Sequence, residues 1–516
     1  MFVLITQVGS SAEVRNICWF VPQLRPISRH RFVVFLVSVL LMVAFGGMQV
    51  IGSVQRSPKR TKKAGKTITK ASKQTASKGS RNKGKRANTR SRKRAREVPI
   101  SSLSSIRERD LAPGVRYTMY RSNGSRPVVA HVISMDRTLP GTAVRLVKGE
   151  DHGAGLERLG ELYRRYEAST DNKLFALING NFWRAVRNTM IGPCVIDGEV
   201  VELNRYKRWT SGFLDVKNQL MIDTFSVSGT VAYAGRTFTV SSVNRRDDDG
   251  IVVYNSYGGE RIPHVNTKEV EKAFYEAVKD SVFAERDSTE LALTKEVLRG
   301  EVARAQREAS TEYPMVKIRV RYLRLPSINT QIPCAVLGID SGTVTMPLRG
   351  AVISMPRSMY VSGQAPRVGD TLILSYSTNV HATTRFMNAM CGTPRLVRDG
   401  VAKHEALLEG STGKRFINHN LARTAIGTDR SGNRITLVAI QADDPGRGTS
   451  GASLQQTAKV MVLLGCYQAM NLDGGGSTGM VVENDHVFFD GQDPLTRRVG
   501  LGIGIVQLSK ILRTPR

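Results

Sequence analysis

Three consecutive glycines stand between an acidic residue and two hydroxyl residues near the C-terminus, in the run Asp473-Gly474-Gly475-Gly476-Ser477-Thr478. Glycine lacks a Cβ and adopts positive φ freely, so the backbone N–H groups of such a turn can approach an anion closely. The Ser477 and Thr478 hydroxyls add donors, and the Asp473 carboxylate can act as a general acid or base. The run suits a phosphate or sugar phosphate, but a tight turn in which Asp473 caps backbone amides would use the same residues.

Two further polar clusters have the chemistry to complete such a site. Arg423 and Thr424 precede an apolar segment, and a guanidinium forms paired hydrogen bonds with phosphate; an arginine in a surface loop is the alternative. The run Asn179-Gly180-Asn181-Phe182-Trp183 follows another apolar segment. Its amides and rings suit sugar hydroxyls and a pyranose face, and the alternative is a strand end with buried rings. The glycine run is neither a Walker loop nor a dinucleotide fingerprint.

Hydrophobic periodicity predicts the elements that must position these clusters. Arg434–Ile440 has the pattern of a buried strand, Ala452–Leu464 has helical spacing, and Cys466–Leu472 is a strand that ends at Asp473. This order predicts a βαβ unit with the glycine turn at the C-terminal end of its second strand, where open α/β sheets place ligands. Other strands are predicted at Pro127–Met135, Leu174–Ile178, Ile251–Tyr254, Val316–Leu325 and Thr371–Ser375.

The fold class predicted from these elements is α+β with α/β-like character, a mixed β-sheet flanked by helices that carries the C-terminal βαβ unit. Residues 98–516 are predicted to form this domain. Val270, Phe274 and Val278 recur at four-residue steps, which is typical of a helical packing face. We therefore predict an inserted helical pair at residues 266–309.

The N-terminal part of the chain has a different composition. The chain carries 75 Lys and Arg against 44 Asp and Glu, a formal net charge of +31, and 18 of these basic residues lie between Arg56 and Arg96 without one acidic residue. Residues 56–97 contain almost no large apolar side chains, so we predict a disordered Lys/Arg-rich linker. A solvated spacer, an arm that binds anionic polymer or lipid headgroups, and a DNA-binding tail are all compatible with it, and nucleic acid is the least favoured partner.

A membrane segment is predicted before this linker. Residues 32–55 carry no formal charge, and about 20 apolar residues suffice to cross a bilayer as a helix. Residues 1–31 form a basic N-terminal segment, as in a signal peptide or signal anchor, so residues 32–55 are predicted as a transmembrane anchor or a signal segment. The basic C-terminal flank favours a cytoplasmic domain by the positive-inside rule, which loses force for long following domains.

The five cysteines, at positions 18, 194, 334, 391 and 466, show no CxxC pair and no metal-ligand spacing. The sequence therefore predicts neither a metal nor a cofactor. Disulfide pairing and redox compartment stay open.

The clusters taken together resemble the phosphodiester glycosidase family. The resemblance rests on three motifs: Arg423-Thr424-Ala425-Ile426-Gly427, the strand–helix–strand that follows, and Asn471-Leu472 with the glycine run. Further similar segments are His131–Asp136, Asn179–Trp183, Ile191–Gly198, Val243–Tyr254, Gly369-Asp370, Cys391–Gly400 and Arg497. The resemblance covers about residues 126 to 506 apart from the helical insertion. The chain departs from the family at Gln441-Ala442-Asp443, where relatives carry Asp-Gly-Arg.

The resemblance implies a hydrolase that cleaves the glycosidic bond of a sugar-1-phosphodiester, such as a GlcNAc-1-phosphodiester-like phosphoglycan. It implies Asp473 and Arg423 as catalytic residues, with Asp473 as nucleophile or as base on water. The implied substrate-binding residues are Asn179, Asn181, Asn471, Gly474, Gly475, Gly476, Ser477, Thr424 and Arg497. We expect a membrane-anchored protein with an extracytoplasmic catalytic domain. The alternatives are a non-catalytic module that binds anionic glycan and, less favoured, a DNA-associated protein.

Overall fold

The computed structural model describes residues 100–184, 188–247, 249–262, 315–360, 365–489 and 497–509. These ranges belong to one unit, Lys93–Arg516. The segments predicted at residues 1–31, 32–55 and 56–97 and the helical insertion at 266–309 lie outside the described residues and stay predictions.

The largest sheet, called the main sheet below, contains the Arg423 strand and the strand that leads into Asp473. Strands are numbered along the chain. The main sheet has the order β1 (Leu103–Ala112), β2 (Val115–Ser122), β3 (Val129–Asp136), β24 (Arg434–Ile440), β23 (Arg423–Thr428), β27 (Gln468–Asn471), β21 (Arg395–Arg398) and β22 (Val401–Ala402). Because β24 and β27 are each antiparallel to β23, which lies between them, they run parallel to each other.

A second layer, the facing sheet, packs against the main sheet. Its order is β29 (Asp485–Phe489), β28 (Gly479–Val482), β6 (Lys173–Asn179), β31 (Leu501–Gln507) and β4 (Thr142–Lys148). Apolar side chains of both sheets meet in one core, among them Ile133, Leu437 and Ile426 from the main sheet and Ile178 and Ile503 from the facing sheet. Strands buried on both faces explain the nearly continuous apolar runs in β6 and β24.

One helix packs on the outer face of each of these two sheets. Helix α1 (Leu159–Ser169) shares a core with β6, β28 and β31. Helix α3 (Leu454–Leu463) covers the main sheet, with Leu454, Ala458 and Met461 against Ala425 and Val438. A short helix, α2 (Lys414–Asn418), precedes β23.

A barrel is inserted into a third sheet. The third sheet has the order β10 (Leu220–Asp223), β9 (Ser211–Asp215), β20 (Phe386–Cys391), β7 (Cys194–Ile196) and β8 (Glu199–Glu202). Between β10 and β20 the chain forms a closed barrel of β11 (Val227–Tyr233), β12 (Arg236–Val243), β13 (Ile251–Tyr254), β18 (Gly350–Pro356), β15 (Met315–Tyr322), β16 (Thr330–Asp340) and β19 (Thr371–Thr378). The barrel has its own apolar core, which includes Val253, Ile318 and Leu374.

Three two-stranded pairs complete the described strands. They are β14 (Arg261–Ile262) with β17 (Val344–Thr345), β25 (Asp443–Asp444) with β26 (Thr449–Ser450), and β30 (Arg498–Val499) with β5 (Glu157–Arg158). Single 3₁₀ turns occur at Gly149–Asp151, Ser256–Gly258, Arg357–Met359 and Gly475–Ser477.

The predicted α+β fold class is wrong, because the protein is mostly β and includes a seven-stranded barrel. The described residues contain only three α-helices against 31 strands. The helical spacing of apolar residues at 266–309 and in Ala452–Leu464 led to an overestimate of the helical content. Barrel strands such as β11 and β16 alternate apolar with polar or small residues and give a weaker signal. The strands predicted from apolar runs are present as β3, β6, β13, β15, β19 and β24.

Four of the five cysteines lie in the described residues. Cys194, Cys334, Cys391 and Cys466 are buried free thiols. Within the described ranges, no helix is both long and apolar enough to cross a membrane.

Ser453→Ala tests the start of α3. The Ser453 hydroxyl accepts a hydrogen bond from the Gln456 N–H (3.2 Å), and the Gln456 side chain accepts one from the Ser453 N–H (2.9 Å). Loss of this cap should lower the free energy of unfolding by about 1 kcal/mol in urea denaturation. Ser453→Asp keeps a cap oxygen and is the control; equal loss in both variants would contradict a capping role.

Candidate active site

The glycine turn, residues 473–478, lies at the junction of the main and facing sheets. It follows β27 and precedes β28, so it connects one sheet to the other. The Asp473 N–H donates to the Gly180 carbonyl, which follows β6 (3.0 Å), and the Gly475 N–H donates to the Ala422 carbonyl, which precedes β23 (2.9 Å). The turn is therefore fixed to the ends of three strands.

Only part of the backbone of the turn is available to a ligand. The Gly474 N–H donates to the Asp473 carboxylate (3.0 Å) and the Gly475 N–H is bonded to Ala422. The Gly476 N–H has no hydrogen-bond partner among the described residues, and Gly476 is exposed. Gly475 has φ +57°, a conformation that side chains rarely adopt, which explains one of the three glycines. One of the three predicted amide donors is thus free to bind an anion.

Asp473 is half-buried and its pKa is raised from 3.8 to about 6. Burial is the largest cause, because removal from water disfavours the charged carboxylate. The Ser477 hydroxyl, the positive charge of Arg497 and the Gly474 N–H act in the opposite direction and favour the ionised form. Asp473 therefore changes charge close to neutral pH, as a catalytic carboxyl must.

Asn179 joins the two sheets beneath the turn. Its side-chain N–H donates to the Asp473 carbonyl (2.7 Å), and its Oδ1 accepts from the Thr424 hydroxyl (2.7 Å) and the Gly479 N–H (3.2 Å). Asn179 and Thr424 are fully buried. Both residues thus position the glycine turn from below.

Arg423 lies beside the turn through its backbone, but its guanidinium points elsewhere. The Arg423 Cα is 3.8 Å from the position that a Cβ on Gly474 would occupy. The side chain is 1% exposed, and it donates to the carbonyls of Ala452 (2.9 Å), Phe416 (2.7 Å) and His419 (3.1 Å). Burial lowers its pKa to about 10, and the guanidinium stacks over the Phe416 ring. Arg423 ties α2 and the start of α3 to β23.

Arg497 is the arginine that faces the turn. Its Nη1 is 3.6 Å from the position that a Cβ on Gly476 would occupy, and its charge lowers the pKa of Asp473. The side chain is exposed and forms no hydrogen bond or salt bridge within the described part of the chain. A Cβ at position 476 would be in ordinary van der Waals contact with this guanidinium, so the space around Gly476 does not by itself require a glycine. The Arg497 guanidinium thus lies next to Gly476, whose N–H has no partner among the described residues.

Asn181 and Asn471 have free polar atoms at the same end of the sheets. The Asn181 Oδ1 accepts from the Cys391 N–H (3.1 Å), and the Asn471 side-chain N–H donates to the Thr393 carbonyl (2.7 Å). Among the described residues, no partner is found for the Asn181 Nδ2, the Asn471 Oδ1 or the Thr478 hydroxyl, and all three residues are buried. Buried polar groups cost free energy unless they are paired.

Aromatic residues line the same region. The Phe182 ring packs edge-on against Trp209 (5.3 Å between centroids) and Phe416 (6.2 Å). Phe182 was predicted from the sequence as a candidate sugar-binding residue. Trp209 and Phe416 were not predicted, because they lie far from the motifs along the chain. The one feature of the sequence that could have indicated Trp209 is the mixture of basic and aromatic residues in Arg205-Tyr206-Lys207-Arg208-Trp209.

No other carboxylate of the described residues acts on Asp473. Asp443 is exposed and bonded to Arg126, and Glu483 forms salt bridges with Arg109 and Lys173. The Glu483 N–H binds the Phe175 carbonyl, four residues before Asn179 on β6, so Glu483 lies about 13 Å along that strand from the site. In the described ranges, no group of three or more residues could hold a metal ion.

Comparison with known proteins identifies one matching family model. Residues 343–506, which include β23, α3, β27 and the glycine turn, match the family model described as phosphodiester glycosidase. These residues carry the sequence signature of the phosphodiester glycosidase family. The resemblance predicted from the motifs is confirmed over this range.

Solved structures show likeness in fold. A hypothetical protein from Synechocystis is similar with a TM-score of 0.52 at 19% identity, over 80% of this chain and 64% of that one. The chain therefore spans 64% of the length of that protein. The zebrafish N-acetylglucosamine-1-phosphodiester alpha-N-acetylglucosaminidase catalytic domain, auto-inhibited by its pro-peptide, has a TM-score of 0.34 at 12% identity, over 78% of this chain and 87% of that one. No curated protein sequence matches the chain.

Asp473→Asn tests the burial of the candidate catalytic carboxyl. A carboxyl whose pKa is raised on folding stabilises the folded state fully below pH 3.8, and this contribution is lost as the pH rises through about 6. Between pH 4 and pH 8 the wild type should lose about 1–2 kcal/mol of unfolding free energy relative to the asparagine variant, after allowance for partial exposure. Urea denaturation at each pH measures this difference. If the unfolding free energies of the two proteins changed with pH in the same way, the predicted effect of burial on Asp473 would be contradicted.

Proposed function

We propose that the protein hydrolyses the glycosidic bond of a sugar-1-phosphodiester at the glycine turn, with a GlcNAc-1-phosphodiester-like glycan as its substrate class. The observation that carries the proposal is the convergence of three groups within the family-matching range. They are Asp473 with a pKa of about 6, the exposed Arg497 guanidinium, and the Gly476 N–H. An acid beside two anion-binding donors fits a phosphate ester linked to an anomeric carbon.

The phosphate is assigned to Arg497 and the Gly476 N–H. A guanidinium without a protein partner and a free amide can bind two phosphate oxygens at once. They also stabilise the charge that gathers on the phosphate when the bond between C1 and oxygen breaks. An ionised phosphate ester is a good leaving group, so the reaction needs no second carboxyl to protonate it.

Asp473 is assigned to the anomeric carbon. In its ionised form the carboxylate attacks C1, directly or through a water molecule whose proton it accepts, and the electron pair of the breaking bond leaves with the phosphate. The hydrogen bond from the Gly474 N–H holds one carboxylate oxygen and leaves the other for this step. Direct attack forms a glycosyl ester on Asp473, which water then cleaves at C1 with a second inversion, so that the anomeric configuration is retained and the carboxylate is regenerated. Attack through water inverts the configuration in one step, and proton NMR of the released sugar distinguishes the two.

The sugar is assigned to the Asn181 side of the turn. The Asn181 Nδ2 and the Asn471 Oδ1 have no partner among the described residues but are enclosed in this conformation, and we propose that they bind hydroxyl groups once the side chains above them move. Phe182 is half-buried next to them and suits the apolar face of a pyranose. Asn179, Thr424 and Arg423 are assigned positioning roles, because their polar atoms are bonded to protein.

The first test is hydrolysis of the methyl phosphodiester of N-acetylglucosamine-α-1-phosphate by the full chain. Asp473→Asn should lower kcat/KM at least about 1,000-fold, because the uncharged amide neither attacks C1 nor accepts a proton. For the wild type, kcat/KM should rise through pH about 6 and then level off, since the ionised carboxylate is the active form. Activity undiminished in the asparagine variant would exclude this function.

A second test separates the two arginines of the site. Arg497→Ala should lower kcat/KM about 100-fold and leave the melting temperature unchanged, because its side chain is exposed and makes no described bond. Arg423→Ala should instead lower the free energy of unfolding by about 3 kcal/mol, because the buried Ala452 carbonyl and two partly buried carbonyls lose a charged donor. Arg498→Ala, at the adjacent exposed position, is the matched control for Arg497 and should keep activity. If Arg423→Ala lowered kcat/KM without a loss of stability and Arg497→Ala lowered stability instead, the phosphate would have to be assigned to Arg423.

A further inference from the structure

Five exposed cationic side chains, called the basic rim below, lie in two loops beside the candidate site. They are Arg205, Lys207 and Arg208, which follow β8, and Lys414 and Arg415, which begin α2. Within the described part of the chain, none of the five forms a salt bridge.

Some exposed arginines elsewhere on the surface have carboxylate partners at short distance, whereas others, such as Arg321 and Arg324, have none among the described residues. Arg116 pairs with Asp110 at 2.6 Å, and Arg398 pairs with Glu405 at 2.6 Å. Five neighbouring cations without such partners repel one another at a cost in free energy. An anionic ligand would remove that cost.

The two loops meet around the aromatic residues of the site. The Lys207 ammonium donates to the Gly410 carbonyl (2.9 Å), and the Tyr206 ring contacts Trp209 (4.8 Å between centroids). Trp209 contacts Phe182, and Phe182 contacts Phe416, the residue next to Arg415. The charge of Arg205 reaches Cys391, whose N–H is bonded to Asn181. The basic rim therefore surrounds the sugar side of the site.

We propose that the substrate is a polyanionic glycan with recurring phosphodiesters, and that the basic rim binds the phosphodiesters next to the one that is cleaved. This inference rests on the proposed function, since it extends the substrate from one phosphodiester to a chain of them. Arg497 holds the phosphate at the reacting bond, and Arg205, Arg208 and Lys414 hold its neighbours along the chain.

A single-stranded nucleic acid has phosphodiesters too, but the aromatic residues do not suit it. Single-stranded nucleic acids stack successive bases on several exposed rings, whereas here Trp209 is buried and only Phe182 and Phe416 are half-buried. The favoured occupant is therefore the glycan.

The test is binding to the full chain carrying Asp473→Asn, which prevents turnover. The probes are a synthetic hexamer of N-acetylglucosamine joined by 1,6-phosphodiesters, the methyl phosphodiester of one unit, neutral chitohexaose, and a six-nucleotide single-stranded DNA. We expect the hexamer to bind at least about tenfold more tightly than the single unit, with an affinity that falls as salt increases.

Charge removal at the rim supplies the control. Arg205→Gln with Arg208→Gln should reduce hexamer affinity about tenfold and leave single-unit affinity within about twofold. Arg321→Gln with Arg324→Gln removes two exposed arginines of the same spacing from the barrel and should change neither. Equal affinity for hexamer and single unit, equal effects of the two double variants, or equal affinity for the DNA would each overturn the proposal.

The outcomes separate this inference from the proposed function. Whether the wild type hydrolyses the single-unit substrate does not depend on the basic rim. Hydrolysis of that substrate with no rim effect on the hexamer would overturn the rim proposal alone. A rim-dependent hexamer preference without any hydrolysis would overturn the proposed function and support the rim as a binding surface.

Discussion

The buried side chain of Asn179 is the interaction on which the candidate site depends. Its amide holds the Asp473 carbonyl on one side and accepts from Thr424 and Gly479 on the other, so it links the main sheet, the facing sheet and the glycine turn. A buried amide that loses its partners costs about 1–3 kcal/mol for each group. The turn is therefore held in one conformation before any ligand arrives, as a catalytic carboxyl requires.

Two arginines near the turn have different physical tasks. The buried Arg423 guanidinium donates to carbonyls and has no carboxylate partner within the described part of the chain, which explains why burial lowers its pKa. The exposed Arg497 guanidinium remains hydrated and unpaired among the described residues, and it acts electrostatically on Asp473. A ligand displaces water from Arg497 easily, whereas it would have to break protein hydrogen bonds to reach Arg423. Exposure, rather than residue type, is therefore the reason that the proposed function assigns the phosphate to Arg497.

The electrostatics of the site result from a balance of burial and charge. Burial raises the pKa of the Asp473 carboxyl. Ser477, Arg497 and the Gly474 N–H act against burial, and the resulting pKa is about 6. The basic rim extends the positive potential around this single acid. A site of this kind attracts anions and keeps one carboxylate ionised at neutral pH.

The sequence by itself determined the glycine turn, the strands with continuous apolar runs and the family resemblance, because these features are encoded in neighbouring residues. It did not determine the fold class, since barrel strands such as β16 alternate apolar and polar residues weakly and pair with strands far along the chain. Only the tertiary structure decided that Arg497 rather than Arg423 faces Asp473, and that Trp209 and Phe416 join Phe182. The direction of a side chain depends on what packs around it, and for these residues the neighbours come from distant segments.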